Sequence, residues 1–225
     1  MDVFDAVASR YSCRAFLPTP IPESAVRDIL ERASRAPSGG NVQPWHVNVL
    51  AGARLETLRD IVRSRFDELP RFEGAEYDIY PPGLKEPYES RRQRAGVMLY
   101  QSIGVTRDDR PGRYRQYGRN YLFYDAPVGM FFSIDRSMGR PQWSDVGGYI
   151  QTVMLLARGY GLDACAQEAW THLHKTLYSF LKFPPEYFIF CGMALGYAEK
   201  AAAINCWRSP RAPLEEFATF EGFES

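Results

Sequence analysis

Between a segment of helical periodicity and a short alternating one lies Ala36-Pro37-Ser38-Gly39-Gly40-Asn41-Val42-Gln43-Pro44-Trp45. Pro37 biases Ala36 away from helical geometry, and Gly39 and Gly40 tolerate positive φ, so the stretch stops one element and turns sharply into the next. It also leaves short polar groups, Ser38, Asn41 and Gln43, around a bend whose glycines let another molecule approach the backbone. A plain helix stop and the rim of a cofactor site both fit this composition.

Upstream of the turn, Pro22 suits a first helical turn, and Val26, Ile29, Leu30 and Ala33 repeat at the spacing of a buried stripe, predicting a helix from Pro22 to Ala36. Before that, Asp2 can cap a short helix over 3–9 with Phe4, Val7 and Ala8 on one face. Downstream, His46–Ala51 reads as a strand and Ala53–Glu68 as a helix. Residues 70–90, rich in proline, tyrosine and charge, carry no period and read as an excursion, since a loop this long is usually functional. A helix over Ser90–Gly104, a strand over Pro127–Asp135, a helix capped by Ser144 or Asp145 and closed by Gly159 or Gly161, a helix over Thr171–Lys182 and a strand over Tyr187–Tyr197 follow, then a polar arm from about 198. Strands and helices mix without regular alternation, which favours an α+β class with helices on a small, mainly antiparallel sheet.

The 225 residues, 45% apolar, suit one domain spanning 1–225 with a real core. Basic and acidic residues balance at 27 each with no long run of one sign, so the chain lacks the electrostatic footprint of a nucleic-acid or acidic-membrane binder. The longest apolar stretch is too short to span a bilayer and the first residues lack a signal-peptide start, so the cytoplasm is the expected location. Cys13, Cys165, Cys191 and Cys206 are widely spaced and read as reduced thiols. His172 and His174 point apart on a helix and have no third ligand nearby in sequence, so no metal site is expected. Neither a Ser/His/Asp triad nor a strand followed by Gly-x-Gly-x-x-Gly is present, which leaves a nicotinamide no domain of its own.

Two further stretches accompany the first: Arg10-Tyr11-Ser12-Cys13-Arg14, and Gly161-Leu162-Asp163-Ala164-Cys165-Ala166-Gln167-Glu168-Ala169-Trp170. With Trp207-Arg208-Ser209-Pro210-Arg211 near the C-terminus, the set resembles the FMN-dependent nitroreductase family over about residues 8–217. Tyr80-Pro81-Pro82, Glu86-Pro87-Tyr88 and Cys191-Gly192-Met193-Ala194-Leu195-Gly196-Tyr197 look like its nitrobenzoate reductase branch.

That resemblance implies a nitroreductase-like fold, an intertwined homodimer with active sites at the interface, FMN as cofactor and NADH or NADPH as reductant. It also implies ping-pong, two-electron hydride transfer from flavin N5 to a small nitroaromatic compound, with no catalytic side chain. A quinone, an activated alkene or a halogenated phenol makes similar demands, and a non-catalytic FMN-binding module is the rival outside enzymology. Phosphate favours guanidinium forks, so Arg10, Arg14 and Arg211 are expected to hold it, with Tyr11 and Ser12 between two of them. Relatives often place lysine where Ser209 stands, so either Arg208 substitutes or the phosphate has one fewer cationic partner. Ala166, Gln167 and Glu168 are expected along the flavin ring, with a backbone N–H near Glu168 facing N5. Pro37, Ser38, Gly39 and Asn41 are expected to reach the flavin of the partner subunit.

Overall fold

The structure, a computed structural model, describes residues 1–223. Its centre is a four-stranded sheet of β1 (His46–Ala51), β2 (Val128–Asp135), β3 (Asp163–Gln167) and β4 (Tyr187–Gly196), in the order β1-β2-β4-β3 with every neighbour antiparallel. β2 pairs Val128 with Leu195 and Phe132 with Cys191, after which Ser133 faces Ile189, so Phe190 is the extra residue of a bulge. Around the sheet stand α1 (Val3–Ser9), α2 (Glu23–Ala33), α3 (Gly52–Arg63), α4 (Tyr88–Ser102), α5 (Arg110–Gly118), α6 (Arg140–Gly159) and α7 (His174–Leu181). The expected α+β class with an antiparallel sheet is the one found.

Both faces of the sheet are covered, so β2 is buried along nearly its whole length. On one face Val128, Met130, Phe132 and Ile134 pack against Val26 and Ile29 of α2 and Val146, Ile150 and Val153 of α6. On the other, Phe131, Ile189 and Ala194 meet Leu55, Leu58 and Val62 of α3, Leu177 of α7, and the aromatic group Tyr121, Phe123 and Trp170. Two 3-10 segments, Arg119–Asp125 and Glu168–Leu173, carry those aromatics onto the sheet. Trp170 is fully buried between Phe123 and Phe131, with ring centroids at 4.7 and 5.0 Å.

Aromatics this large reach the sheet only because the strands present glycine beneath them. A Cβ on Gly192 would stand 2.3 Å from Trp170, and one on Gly129 would stand 2.7 Å from the ring of Phe123. Gly192 and Gly129 are therefore the floor under an aromatic layer.

Several boundaries differ from the sequence expectation. The strand Asp163–Gln167, the helix Arg110–Gly118 and the 3-10 segment after it were not expected. α6 begins at Arg140, four residues before Ser144, because Gln142 turns back to accept the Gly139 N–H at 3.1 Å and Pro141 fits the first turn. α3 stops at Arg63, and α7 starts at His174 after a 3-10 turn, so His172 and His174 do not share one helix. Asp2 does cap α1, accepting from Asp5 N–H at 2.8 Å, but that helix buries only Ala6; Phe4 and Val7 stand in the open.

Gly192→Ala is expected to lower stability by about 1–3 kcal/mol by driving Trp170 off the sheet. Chemical denaturation checks it; an unchanged midpoint would show that the aromatic layer yields without cost.

Candidate cofactor site

The segment after α1 runs alongside β3. Ser12 bridges Ala164 in parallel, and the Cys13 N–H donates to the Ala164 carbonyl at 3.1 Å. Leu17 N–H then donates to Tyr197 O at 2.8 Å and Glu199 N–H to Ala15 O at 3.0 Å, carrying the chain beyond β4 along the same segment. Arg158, at the end of α6, fixes this corner: its guanidinium meets Asp163 at 2.5 Å, Leu162 O at 3.0 Å and Ser9 Oγ at 3.2 Å. Burial pushes the Asp163 carboxyl above its usual range, while Arg158 pulls the other way.

Against this corner opens a cleft of about 550 Å³. Arg10, Arg14, Arg208 and Arg211 line it, with the hydroxyls of Ser12 and Ser209, and none of its lining residues is acidic. Burial, and then the charge of Arg211, lower the basicity of Arg10. A site that gathers like charges and excludes carboxylates is built for an anion with several oxygens. Tyr11 lies under the Arg208 guanidinium at 3.9 Å, and Trp207 lies 6.0 Å from that of Arg14. Val7, Ala8, Ala95 and Gln151 complete the wall. Sequence reasoning missed these four; a small residue such as Ala95 beside a basic cluster carries no chemical signal of its own.

Of the residues singled out in the sequence, Arg10, Tyr11, Ser12, Arg14, Arg208 and Arg211 thus share one cleft. Ala166 and Gln167 end β3, the strand that the Arg10–Arg14 segment borders, and Glu168 opens the 3-10 segment directly after it. Gln167 is buried and donates to Asn120 O at 2.6 Å, while its Oε1 has no protein partner. Glu168 is exposed in the chain alone, yet the groups crowding its carboxyl push it above the usual range by desolvation.

Pro37, Ser38, Gly39 and Asn41 do not line this cleft. Their turn is held apart on α6, where Gly39 N–H donates to Asp145 at 3.2 Å and Ser38 Oγ accepts the Gln43 N–H at 3.0 Å. Gly40 and Asn41 both take positive φ, the first at +57° and the second at +56°, and the loop's polar groups face outward. Trp45 packs inward, stacked on Tyr149 at 4.7 Å.

The excursion over 70–90 is fastened at its start and open beyond. Glu73 accepts from the N–H groups of Lys175 and Thr176 at 2.7 and 3.2 Å and from Arg65 at 2.7 Å, so its carboxylate caps the first turn of α7. Burial works to raise its titration point, but the hydrogen bonds of Arg65 and Thr176 win and hold it below the usual range. Tyr77 reaches the carbonyl of the bulged Phe190 and packs on Trp143.

The Nitroreductase family model matches residues 7–197. This chain belongs to the nitroreductase family. It is 37% identical to a 4-nitrobenzoate reductase of Pseudomonas putida, over 99% of this chain and 97% of that one. It is 36% identical to a chloronitrobenzene nitroreductase of Comamonas testosteroni, over 96% and 95%. Among solved structures, the FMN- and NADPH-dependent nitroreductase NfnB from Sphigopyxis sp. superposes with a TM-score of 0.95 at 41% identity, over 99% of this chain and all of that one. NfnB from Mycobacterium smegmatis, solved in complex with NADPH, superposes at 0.91 and 30% identity, over 97% of both chains. The nitroreductase fold expected from the motifs is thus the one the chain has. Among the described residues no helix is long and apolar enough to cross a membrane.

Glu73→Gln is expected to cost about 1–3 kcal/mol at neutral pH. Because the folded carboxyl titrates below its unfolded value of about 4.3, that stability is present above this value and fades as pH falls through the folded one. Unfolding curves of both proteins should therefore converge in acid; a gap independent of pH would contradict the capping role.

Proposed function

We propose that this protein is an FMN-dependent oxidoreductase that uses NADH or NADPH to reduce nitroaromatic compounds. The observation that carries the reading is the acid-free cleft in which Arg10, Arg14, Arg208 and Arg211 converge with two serine hydroxyls. FMN ends in a phosphate, and the cleft's donors match it in charge and in fork geometry. The kinship with FMN-dependent reductases named for nitroarenes supplies the rest.

In this reading Arg10, Arg14 and Arg211 hold the phosphate, and Tyr11 and Ser12 border the sugar chain. The end of β3, with Ala166, Gln167 and Glu168, lies along the ring, where backbone N–H groups stabilise negative charge. When bound, FMN supplies two-electron hydride chemistry between the nicotinamide and the electron-poor aromatic compound. The Glu168 carboxyl has no second acid to work with, so the chain's part is to hold and orient, and solvent provides protons.

Pro37, Ser38, Gly39 and Asn41, displaced from the cleft of their own chain, serve the site of a partner subunit. The homodimer this requires is supported by apolar surface that one chain leaves uncovered: Phe4 and Val7 on α1, and Phe217, Phe220 and Phe223 on the C-terminal arm, the last 80% exposed. α4 has no buried residue of its own and gains a place in such an assembly. The two hydrophobic layers share one sheet, which supports reading residues 1–225 as a single domain. A cytoplasmic location suits the four unpaired cysteines.

Anaerobic addition of NADH or NADPH to the FMN-loaded protein is expected to bleach the flavin absorbance, and a nitroaromatic compound to restore it. Flavin that stays yellow with both reductants would contradict the assignment.

A further inference from the structure

Asn205 lies 191 residues beyond Arg14 and is almost wholly buried. Its carboxamide is used at both ends. The Arg14 N–H donates to its Oδ1 at 2.8 Å, and its Nδ2 donates to Ala15 O at 2.8 Å and to Glu199 O at 3.0 Å. Its own backbone carbonyl accepts from Arg208 at 2.8 Å. One short side chain therefore sews the strap over 203–211 to the segment over 10–16, and these two pieces carry all four arginines of the cleft.

The demand on residue type is narrow. Two donors and one acceptor must sit on a short, buried arm, which asparagine meets. Aspartate would set a buried charge against two carbonyl oxygens, and alanine would leave one backbone donor and two acceptors with one partner fewer.

Arg208 joins the same stitching. Its guanidinium lies on Tyr11 at 3.9 Å, and one of its nitrogens is given to Asn205 O and Trp207 O, both at 2.8 Å. Arg211 instead turns back to Ser209, whose hydroxyl accepts at 2.8 Å. Two neighbouring arginines on one strap thus have different surroundings: Arg208 fastens the strap to the Arg10–Arg14 segment, and Arg211 is set by a hydroxyl within it.

We propose that Asn205 is the positioning residue that assembles the phosphate end of the flavin site, and that Arg208 acts with it as a latch on Tyr11 and not as a phosphate ligand. The proposal rests on the FMN reading above. It predicts a selective defect: loosening the strap disperses the arginines that face the phosphate and leaves the ring-binding end of β3 in place. FMN and riboflavin differ only in that phosphate, so their affinities for one protein separate the two ends.

The test is fluorescence titration of flavin-stripped full-length protein with FMN and with riboflavin. Asn205→Ala is expected to weaken FMN by about tenfold or more, the worth of one or two charge-assisted hydrogen bonds, and riboflavin by much less. Equal weakening of both ligands, or unaltered FMN affinity, overturns the assignment. If Asn205→Ala does not fold, Asn205→Ser keeps a small hydroxyl at the same place and loosens the strap less severely; the same selective loss supports the assignment, and equal loss or none overturns it. Wild-type protein that takes up neither flavin overturns the FMN reading itself, an outcome distinct from all of these.

Discussion

Like charges repel, and a cleft lined by four guanidinium groups with no carboxylate among them cannot hold itself together. Burial first, and then the charge of Arg211, lower the basicity of Arg10. The arrangement persists because the backbone is fixed by interactions that owe nothing to those charges: the Ser12–Ala164 bridge, the main-chain bonds from Leu17 and Glu199, and the Asn205 carboxamide. An anion entering the cleft meets donors whose mutual repulsion has already been offset elsewhere, and their ordering costs little at the moment of binding.

The fixed backbone in turn needs the sheet. β3 is an edge strand of five small or polar residues, and it holds its place because β4 is buried on both sides by layers that α2, α6, α3 and the Trp170 group supply. Glycine in the strands admits the aromatics, the aromatics cover the second face, and the edge strand β3 lies against the Arg10–Arg14 segment. Packing far from the cleft is therefore part of how the cleft is made.

How much of this the sequence disclosed depends on how locally each feature is encoded. The turn at Pro37–Trp45, the α2 stripe and strands β1, β2 and β4 carry their own periodicity or punctuation, and they stand where expected apart from a few residues at their ends. β3 escaped because Asp163-Ala164-Cys165-Ala166-Gln167 has neither branched residues nor an apolar alternation; its pairing with β4 makes it a strand. α5 escaped because it buries Gly112, Gln116 and Gly118, which form no stripe. For α1 the periodicity was real but the burial was not, since Phe4 and Val7 have no cover within the chain. Arg10, Arg14 and Arg211 could be named from motif resemblance, while Asn205, which joins them, lies in no pattern and became visible only through its bonds.

The central claim is that segments 10–16 and 203–211 form one unit around one anion. Hydrogen exchange of the full chain, with and without saturating FMN, measures it most directly. Both segments should gain protection together, while amides of the Phe72–Lys85 excursion change little. Protection confined to one of the two segments would contradict the account.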